Sequence, residues 1–113
     1  MITIYHNSRC RKSREGLALL EQHGQPFKVV NYLQNPLSKE ELEDIISKLK
    51  ISPIDLVRTN EVIWKENYRG KSLSDEQIIA AMLKSPKLIE RPIVVHHNSA
   101  VIGRPADKIL NIL

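Results

Sequence analysis

Residues 1–14 read MITIYHNSRCRKSR, a short strand-forming segment followed closely by the start of a helix. Residues 1–6 are β-prone and are bounded by a turn-forming Asn-Ser pair, so they predict a first strand. A helix is predicted from about Cys10 to His23, and Gly24 provides its C-terminal stop. The only cysteine of the chain is therefore expected where the strand has ended and the helix begins.

Residues 27–32, FKVVNY, predict a second strand directly after this helix. Strand, helix and strand within about thirty residues form a βαβ unit, in which the two strands are parallel and the crossover is right-handed. The beginning of the chain therefore predicts an α/β protein.

The middle of the chain is predicted to be helical. Two Ser-x-x-Glu/Gln patterns, at Ser38 and Ser74, have the form of capping boxes, and each precedes a run of apolar residues at helical spacing. Between them, Ser52 and the following proline predict a short helix running to about Thr59. One or two further helical turns are expected over residues 61–68.

The last third of the chain returns to β-structure. Residues 92–96 and 100–102 predict an antiparallel hairpin, and a final helix is expected after Pro105. The order is therefore βαβ, a helical insert, then ββα. This order is that of a thioredoxin-like α/β fold, a mixed four-stranded sheet with helices on both faces. No linker or repeat interrupts the chain, so a single domain over 1–113 is expected.

Composition limits the classes of function. The formal net charge of +4 and the pI of about 9.3 favour an anionic partner. The five aromatic residues do not lie in a basic stripe, so a small oxyanion is favoured over nucleic acid. No membrane span or leader is recognised, and a lone cysteine cannot form an internal disulfide. We therefore expect a cytoplasmic protein that does not bind membranes.

Cys10 is the candidate reactive group. A lone cysteine is most often a small buried hydrophobe. At a helix N-terminus, however, free N–H groups and the helix dipole favour the thiolate and can hold an oxyanion beside it. Nearby basic side chains would act in the same direction; they are His6, Arg9, Arg11, Lys12 and Arg14. This setting predicts attack on an oxidised, negatively charged substrate.

Residues that are absent narrow the chemistry further. Ser13 stands where a Cys-x-x-Cys dithiol would need its second cysteine, so an external thiol must supply electrons. Gly16 stands where a Cys-x5-Arg phosphatase loop would need arginine. His6 and Cys10 are two ligands where zinc needs three or four, so no metal is expected.

Four segments together resemble the glutaredoxin-coupled arsenate reductase family, and the similarity extends over essentially the whole chain. The segments are residues 2–14, then LVRTN at 56–60, IERPIVV at 89–95 and GRP at 103–105. The chain is most similar to the short bacterial arsenate reductase-like members. It differs from many members at Arg11-Lys12, where they have Gly-Thr.

The resemblance implies a function and its residues. Cys10 would be the nucleophile, His6 would help to ionise it, and Arg58, Arg91 and Arg104 would bind the oxyanion. Guanidinium groups suit tetrahedral oxyanions. Arsenate would be reduced to arsenite through a thiol-arsenate adduct on the cysteine. Glutathione would be the co-substrate and glutaredoxin the protein partner, with no tightly bound cofactor and a monomeric chain.

Each arginine also has a structural interpretation. Arg58 would end a predicted helix, where a cation favours the dipole. Arg91 precedes Pro92, at the position where thioredoxin-like folds place a cis proline. Arg104 could be a solvated loop residue before a helix.

Other functions remain open. A redox-responsive regulator that binds RNA polymerase shares this fold, but members that sense through a dithiol differ at Ser13, and the family lacks the Gly-Arg-Pro that contains Arg104. A monothiol glutaredoxin with an iron–sulfur cluster would show Cys-Gly-Phe-Ser, which is absent. A thiol reductase acting on another oxyanion or thiol adduct also fits the residues.

Overall fold

The computed structural model describes residues 1–113, and its strands form one sheet. The strands are β1 (Ile2–His6), β2 (Phe27–Asn31), β3 (Ile93–His96) and β4 (Ser99–Ile102), in the order β2-β1-β3-β4. β1 is parallel to β2 and antiparallel to β3, and β3 is antiparallel to β4. The predicted mixed four-stranded sheet is confirmed.

The chain divides into two compact units. The first contains residues 1–35 and 91–113, and so includes the whole sheet. The second contains residues 36–90 and corresponds to the predicted helical insert.

Helix α1 (Arg11–His23) follows β1 in the first unit. Its N-cap is Cys10, whose backbone is extended, and its C-cap is Gly24, whose φ of 88° lies in the left-handed region. The Gly24 N–H donates to the carbonyl of Leu20. The helix thus ends at Gly24, as the sequence predicts.

The core of the first unit lies on one face of the sheet. Burial alternates along β1, with Ile2 and Ile4 pointing into the core. Leu20 of α1, Val94 of β3 and Ile109 of the C-terminal segment complete this buried cluster. The predicted terminal helix is a 3-10 helix over Ala106–Ile112.

Two glycines allow close packing beside this core. A Cβ at Gly16 would lie 2.9 Å from the Cγ of Pro92, and one at Gly103 would lie 3.1 Å from the same atom. The first distance is shorter than side-chain carbons tolerate, so α1 can approach Pro92 only because position 16 carries no side chain.

The second unit contains three α-helices and two short 3-10 segments. The helices are α2 (Lys39–Leu49), α3 (Val62–Asn67) and α4 (Asp75–Lys84), and the 3-10 segments are Pro53–Leu56 and Pro86–Leu88. Both predicted capping boxes, Ser38 with Glu41 and Ser74 with Gln77, are present with both of their hydrogen bonds. No helix of the chain is long and apolar enough to cross a membrane.

The prediction that a helix extends to Thr59 was wrong. The 3-10 segment ends at Leu56, because the next residues pair with another part of the chain. The Arg58 N–H donates to the Leu88 carbonyl at 2.7 Å, and the Glu90 N–H donates to the Leu56 carbonyl at 2.9 Å. Arg58 therefore lies in an extended pairing, and its interpretation as a helix-terminal cation does not hold.

Candidate active site around Cys10

Cys10 occupies the turn between β1 and α1. Its backbone N–H donates to the Asn7 carbonyl at 3.0 Å, and its own carbonyl accepts the first helical bond from Arg14 at 3.0 Å. The residue is partly exposed. Cys10 therefore lies, partly exposed, at the end of the helix where free N–H groups concentrate.

The pKa of Cys10 is lowered from its ordinary value. Burial of the sulfur raises the pKa, but hydrogen bonds from the Ser13 backbone, the Arg91 side chain and the Lys12 backbone outweigh that effect. The charge of Arg91 lowers the pKa further. Each of these groups stabilises the thiolate, which is the nucleophilic form of cysteine.

Arg91 is a buried arginine, with 8% of its surface exposed. It is joined to Pro92 by a cis peptide bond, and a second cis bond joins Arg104 to Pro105. The guanidinium of Arg104 donates to the Arg91 carbonyl at 3.3 Å. The structure therefore brings Cys10, Arg91 and Arg104 into one connected group within the first unit.

His6 contacts Ser13 at this site. Its Nδ1 lies 2.7 Å from the Ser13 Oγ, which also accepts from the Asn7 N–H at 3.0 Å. The pKa of His6 is lowered, mainly by burial; a hydrogen bond with Ser13 raises it, and the charge of Arg14 lowers it. The neutral imidazole is thus favoured, and its contact joins the end of β1 to the first turn of α1.

Ser13 is the residue of this site that the sequence does not single out, because its only evident meaning there is the absence of a second cysteine. The side chain is fully buried. A signal was present in the helical spacing, because Ser13, Gly16 and Leu20 lie on one side of α1 and all three are buried. A serine on that buried face needs hydrogen-bond partners.

Most of the basic side chains around Cys10 are engaged elsewhere. Arg11 and Lys12 both contact Glu15, at 3.4 and 3.7 Å, and Arg14 donates to the Ser8 carbonyl at 2.9 Å. Lys12 lowers the pKa of Cys10 through its backbone N–H, whereas the side-chain charge that lowers this pKa is that of Arg91. The sequence pattern instead predicts that the side chains next to Cys10 in the chain lower its pKa.

Arg58 belongs to the second unit and contacts two carboxylates there. Its Nε lies 3.4 Å from Glu61, and its Nη1 lies 3.2 Å from Glu90. These contacts fix its side chain, while its assignment to the oxyanion site stays a prediction. No group of three or more His, Cys, Asp or Glu side chains is placed to hold a metal ion.

Comparison with known proteins gives full-length matches. The family model described as the ArsC family matches residues 5–112. The chain is 46% identical to the uncharacterised protein YfgD of Escherichia coli K12, covering 99% of this chain and 96% of that protein. It is 43% identical to the arsenate reductase of Haemophilus influenzae, covering 99% and 98%. The solved structure of an arsenate reductase from Vibrio cholerae has a TM-score of 0.94 at 46% identity, covering 99% and 97%. The predicted thioredoxin-like α/β fold is confirmed by this match.

Proposed function

The chain belongs to the ArsC family, and from this membership we propose that it is an oxidoreductase that reduces arsenate to arsenite. The observation that supports the proposal most directly is the hydrogen bond between the Arg91 guanidinium and the Cys10 sulfur. A thiolate beside a guanidinium and a helix N-terminus combines a nucleophile with an anion-binding group.

The first step is attack of the Cys10 thiolate on arsenic. An S–As bond forms, an As–O bond breaks, and the departing oxygen leaves as water after protonation. The N–H groups of Lys12 and Ser13 point at the sulfur, so they also lie near oxygens of a bound oxyanion. Arg91 neutralises negative charge there, and Arg104 supports it through the Arg91 carbonyl.

The reduction needs two electrons from outside the chain, because Ser13 leaves Cys10 without a second thiol. In balanced form, arsenic acid and two thiols give arsenous acid, one disulfide and water. Glutathione supplies the first thiol, which forms a second S–As bond on the Cys10 adduct as another As–O bond breaks and water leaves. The thiolate of glutaredoxin then attacks the glutathione sulfur: the disulfide forms, the As–S bond to glutathione breaks, and its electron pair reduces the arsenic. Hydrolysis of the remaining S–As bond consumes one water and returns free Cys10 and arsenite.

The remaining site residues have supporting roles in this proposal. His6 holds Ser13, so it helps to ionise Cys10 by fixing the helix turn whose N–H groups contact the sulfur. Arg58 is a third oxyanion ligand, whose orientation is set by Glu61 and Glu90. The protein acts as a cytoplasmic monomer and needs no tightly bound cofactor.

The test is arsenite production by the purified protein with arsenate, glutathione and glutaredoxin. Arsenite should form only when all components are present, and Cys10→Ser should abolish it without unfolding the protein. A protein that alkylates readily at Cys10 but forms no arsenite would contradict the arsenate assignment and indicate a thiol reductase for another substrate.

A further inference from the structure

Asn7 is the buried polar residue to which the proposed mechanism gives no role. The other buried polar or charged residues are His6, Ser13 and Arg91, and all three belong to the site around Cys10. Asn7 is 6% exposed and lies between the end of β1 and the turn that leads to the cysteine. Because burial of an amide is unfavourable unless it forms hydrogen bonds, the partners of Asn7 indicate its purpose.

Three hydrogen bonds join Asn7 to the segment that contains Cys10. Its backbone N–H donates to the Ser13 Oγ at 3.0 Å, and its carbonyl accepts the Cys10 N–H at 3.0 Å. Its side-chain Oδ1 accepts the Arg9 N–H at 3.0 Å. A single residue therefore holds both the chain before the cysteine and the first turn of the helix after it.

The side chain of Asn7 completes an Asx turn. Its Oδ1 accepts the N–H of the residue two positions later, so the side chain imitates a backbone turn. The carbonyl bond to Cys10 closes a β-turn over the same segment. The peptide groups on both sides of Arg9 are thus held by one residue.

These two turns lead into the N-cap conformation of Cys10. The backbone of Cys10 has φ −95° and ψ 122°, which is extended. In this conformation an N-cap side chain lies beside the N–H groups two and three residues later. Here those N–H groups belong to Lys12 and Ser13, which form hydrogen bonds with the sulfur.

Asparagine supplies the turn acceptor without a charge. Aspartate at position 7 would offer the same oxygen, but a negative charge three residues before Cys10 would oppose ionisation of the thiol. The Nδ2 of Asn7 forms no hydrogen bond within the chain, so the oxygen alone serves the turn. The residue type therefore suits a loop that holds a thiolate.

We propose that Asn7 is a positioning residue that holds the Cys10 sulfur against the N–H groups of the first turn of α1. It acts through the backbone of residues 9 and 10. The inference rests on the proposed function in taking Cys10 as the reacting group, and it does not depend on which oxyanion Cys10 attacks.

Asn7→Ala tests the side-chain bond alone, because both backbone hydrogen bonds of position 7 remain. The rate of alkylation of Cys10 by iodoacetamide at pH 7 should fall about two- to tenfold, as expected for loss of one hydrogen bond. The midpoint of the rate against pH should move upward. Asn7→Ser should restore most of the rate, since a hydroxyl can accept the N–H two residues later. Asn98→Ala, at an exposed turn residue, should react as the wild type does.

A matched destabilising variant separates positioning from a general loss of stability. Ile2→Val shortens a buried side chain at the opposite end of β1 from the loop. It should lower the free energy of unfolding and leave the alkylation rate unchanged. Wild-type alkylation of a folded Asn7→Ala variant would overturn the inference. Equal slowing in Ile2→Val, or an Asn7→Ser variant no faster than Asn7→Ala, would also overturn it.

Turnover separates this inference from the proposed function. With arsenate, Asn7→Ala should lower kcat about two- to tenfold and leave the KM for arsenate unchanged, because the nucleophile is displaced and the anion ligands are not. If the wild-type protein formed no arsenite, the proposed function would fail, and alkylation would still decide the role of Asn7. Unchanged alkylation and unchanged arsenite production in Asn7→Ala would refute the inference and leave the proposed function intact.

Discussion

The Nδ1 of His6 lies 2.7 Å from the Oγ of Ser13, and both side chains are buried. The first residue ends β1 and the second lies in the first turn of α1. Their contact closes the loop that contains Cys10, so the position of the sulfur depends on a pair that does not itself contact the sulfur through side chains. This arrangement leads to a first prediction.

Ser13→Ala should destabilise the protein. The change removes the acceptor of the Asn7 N–H and the partner of His6, and each lost buried hydrogen bond costs about 1 kcal/mol. A loss of about 2 kcal/mol in the free energy of unfolding is expected from urea denaturation. The control is Ser8→Ala, because Ser8 is exposed and contributes only its backbone carbonyl to Arg14. Equal stability of the two variants would contradict the structural role of Ser13.

His6 should make stability depend on pH. Its pKa in the folded protein is below the ordinary 6.5, chiefly because burial disfavours the charged form. The unfolded chain therefore binds a proton first as pH falls, and stability present above about pH 6.5 is lost as pH drops toward the folded pKa. Unfolding free energies between pH 7 and pH 5 should fall less steeply in His6→Gln. His23→Gln, at an exposed position, should retain the wild-type slope.

Arg91 should control the ionisation of Cys10. Arg91→Met removes both a hydrogen bond to the sulfur and a nearby positive charge, so the pKa of Cys10 should rise. The rate of iodoacetamide alkylation against pH measures this pKa, and its wild-type midpoint should lie below the ordinary thiol value. Arg11→Met is the matched control, because Arg11 is exposed and contacts Glu15. If Arg11→Met raised the pKa of Cys10 more than Arg91→Met did, the neighbouring cations rather than Arg91 would control the ionisation of the thiol.

Arg91→Lys should lower kcat/KM for arsenate by about ten- to a hundredfold. Lysine retains the charge but lacks the planar pair of donors that a guanidinium offers to an oxyanion. Because lysine can occupy the same buried position as a long cationic side chain, circular dichroism should show that the variant is folded. Unchanged arsenate kinetics in a folded Arg91→Lys variant would remove Arg91 from the oxyanion site.

Arg58→Lys tests the third arginine of the proposed site. If Arg58 binds the oxyanion, its replacement by lysine should raise the KM for arsenate several-fold and change the free energy of unfolding only slightly. A role confined to Glu61 and Glu90 would change stability and leave this KM as it was. Parallel kinetic and denaturation measurements on the one variant separate the two roles.

The parts of the fold that were predictable depend on local sequence. The capping boxes at Ser38 and Ser74 and the left-handed stop at Gly24 form between residues a few positions apart. The prediction of a helix to Thr59 was wrong because backbone groups from Leu56 onward form hydrogen bonds with residues about thirty positions away, at Leu88 and beyond. The spacing of apolar residues along a predicted helix does not indicate pairing between residues so far apart in the chain.

The same distinction applies to the candidate site. The position of Cys10 at a helix N-cap followed from neighbouring residues. The pairing of Ser13 with His6, and the engagement of Arg11 and Lys12 with Glu15, depend on how side chains face once the helix has formed. A count of nearby charges could not separate the cations that act on the sulfur from those already neutralised.

Gly16 and Gly103 both approach the ring of Pro92, the residue that follows Arg91. The absence of side chains at these two positions therefore lets α1, which follows Cys10, pack closely against the segment that contains Arg91 and Pro92. A methyl group added at Gly16 would act as a wedge between the helix bearing the sulfur and the segment bearing the guanidinium. We therefore expect a larger residue at Gly16, a buried position of α1, to change the reactivity of the cysteine at the start of the same helix.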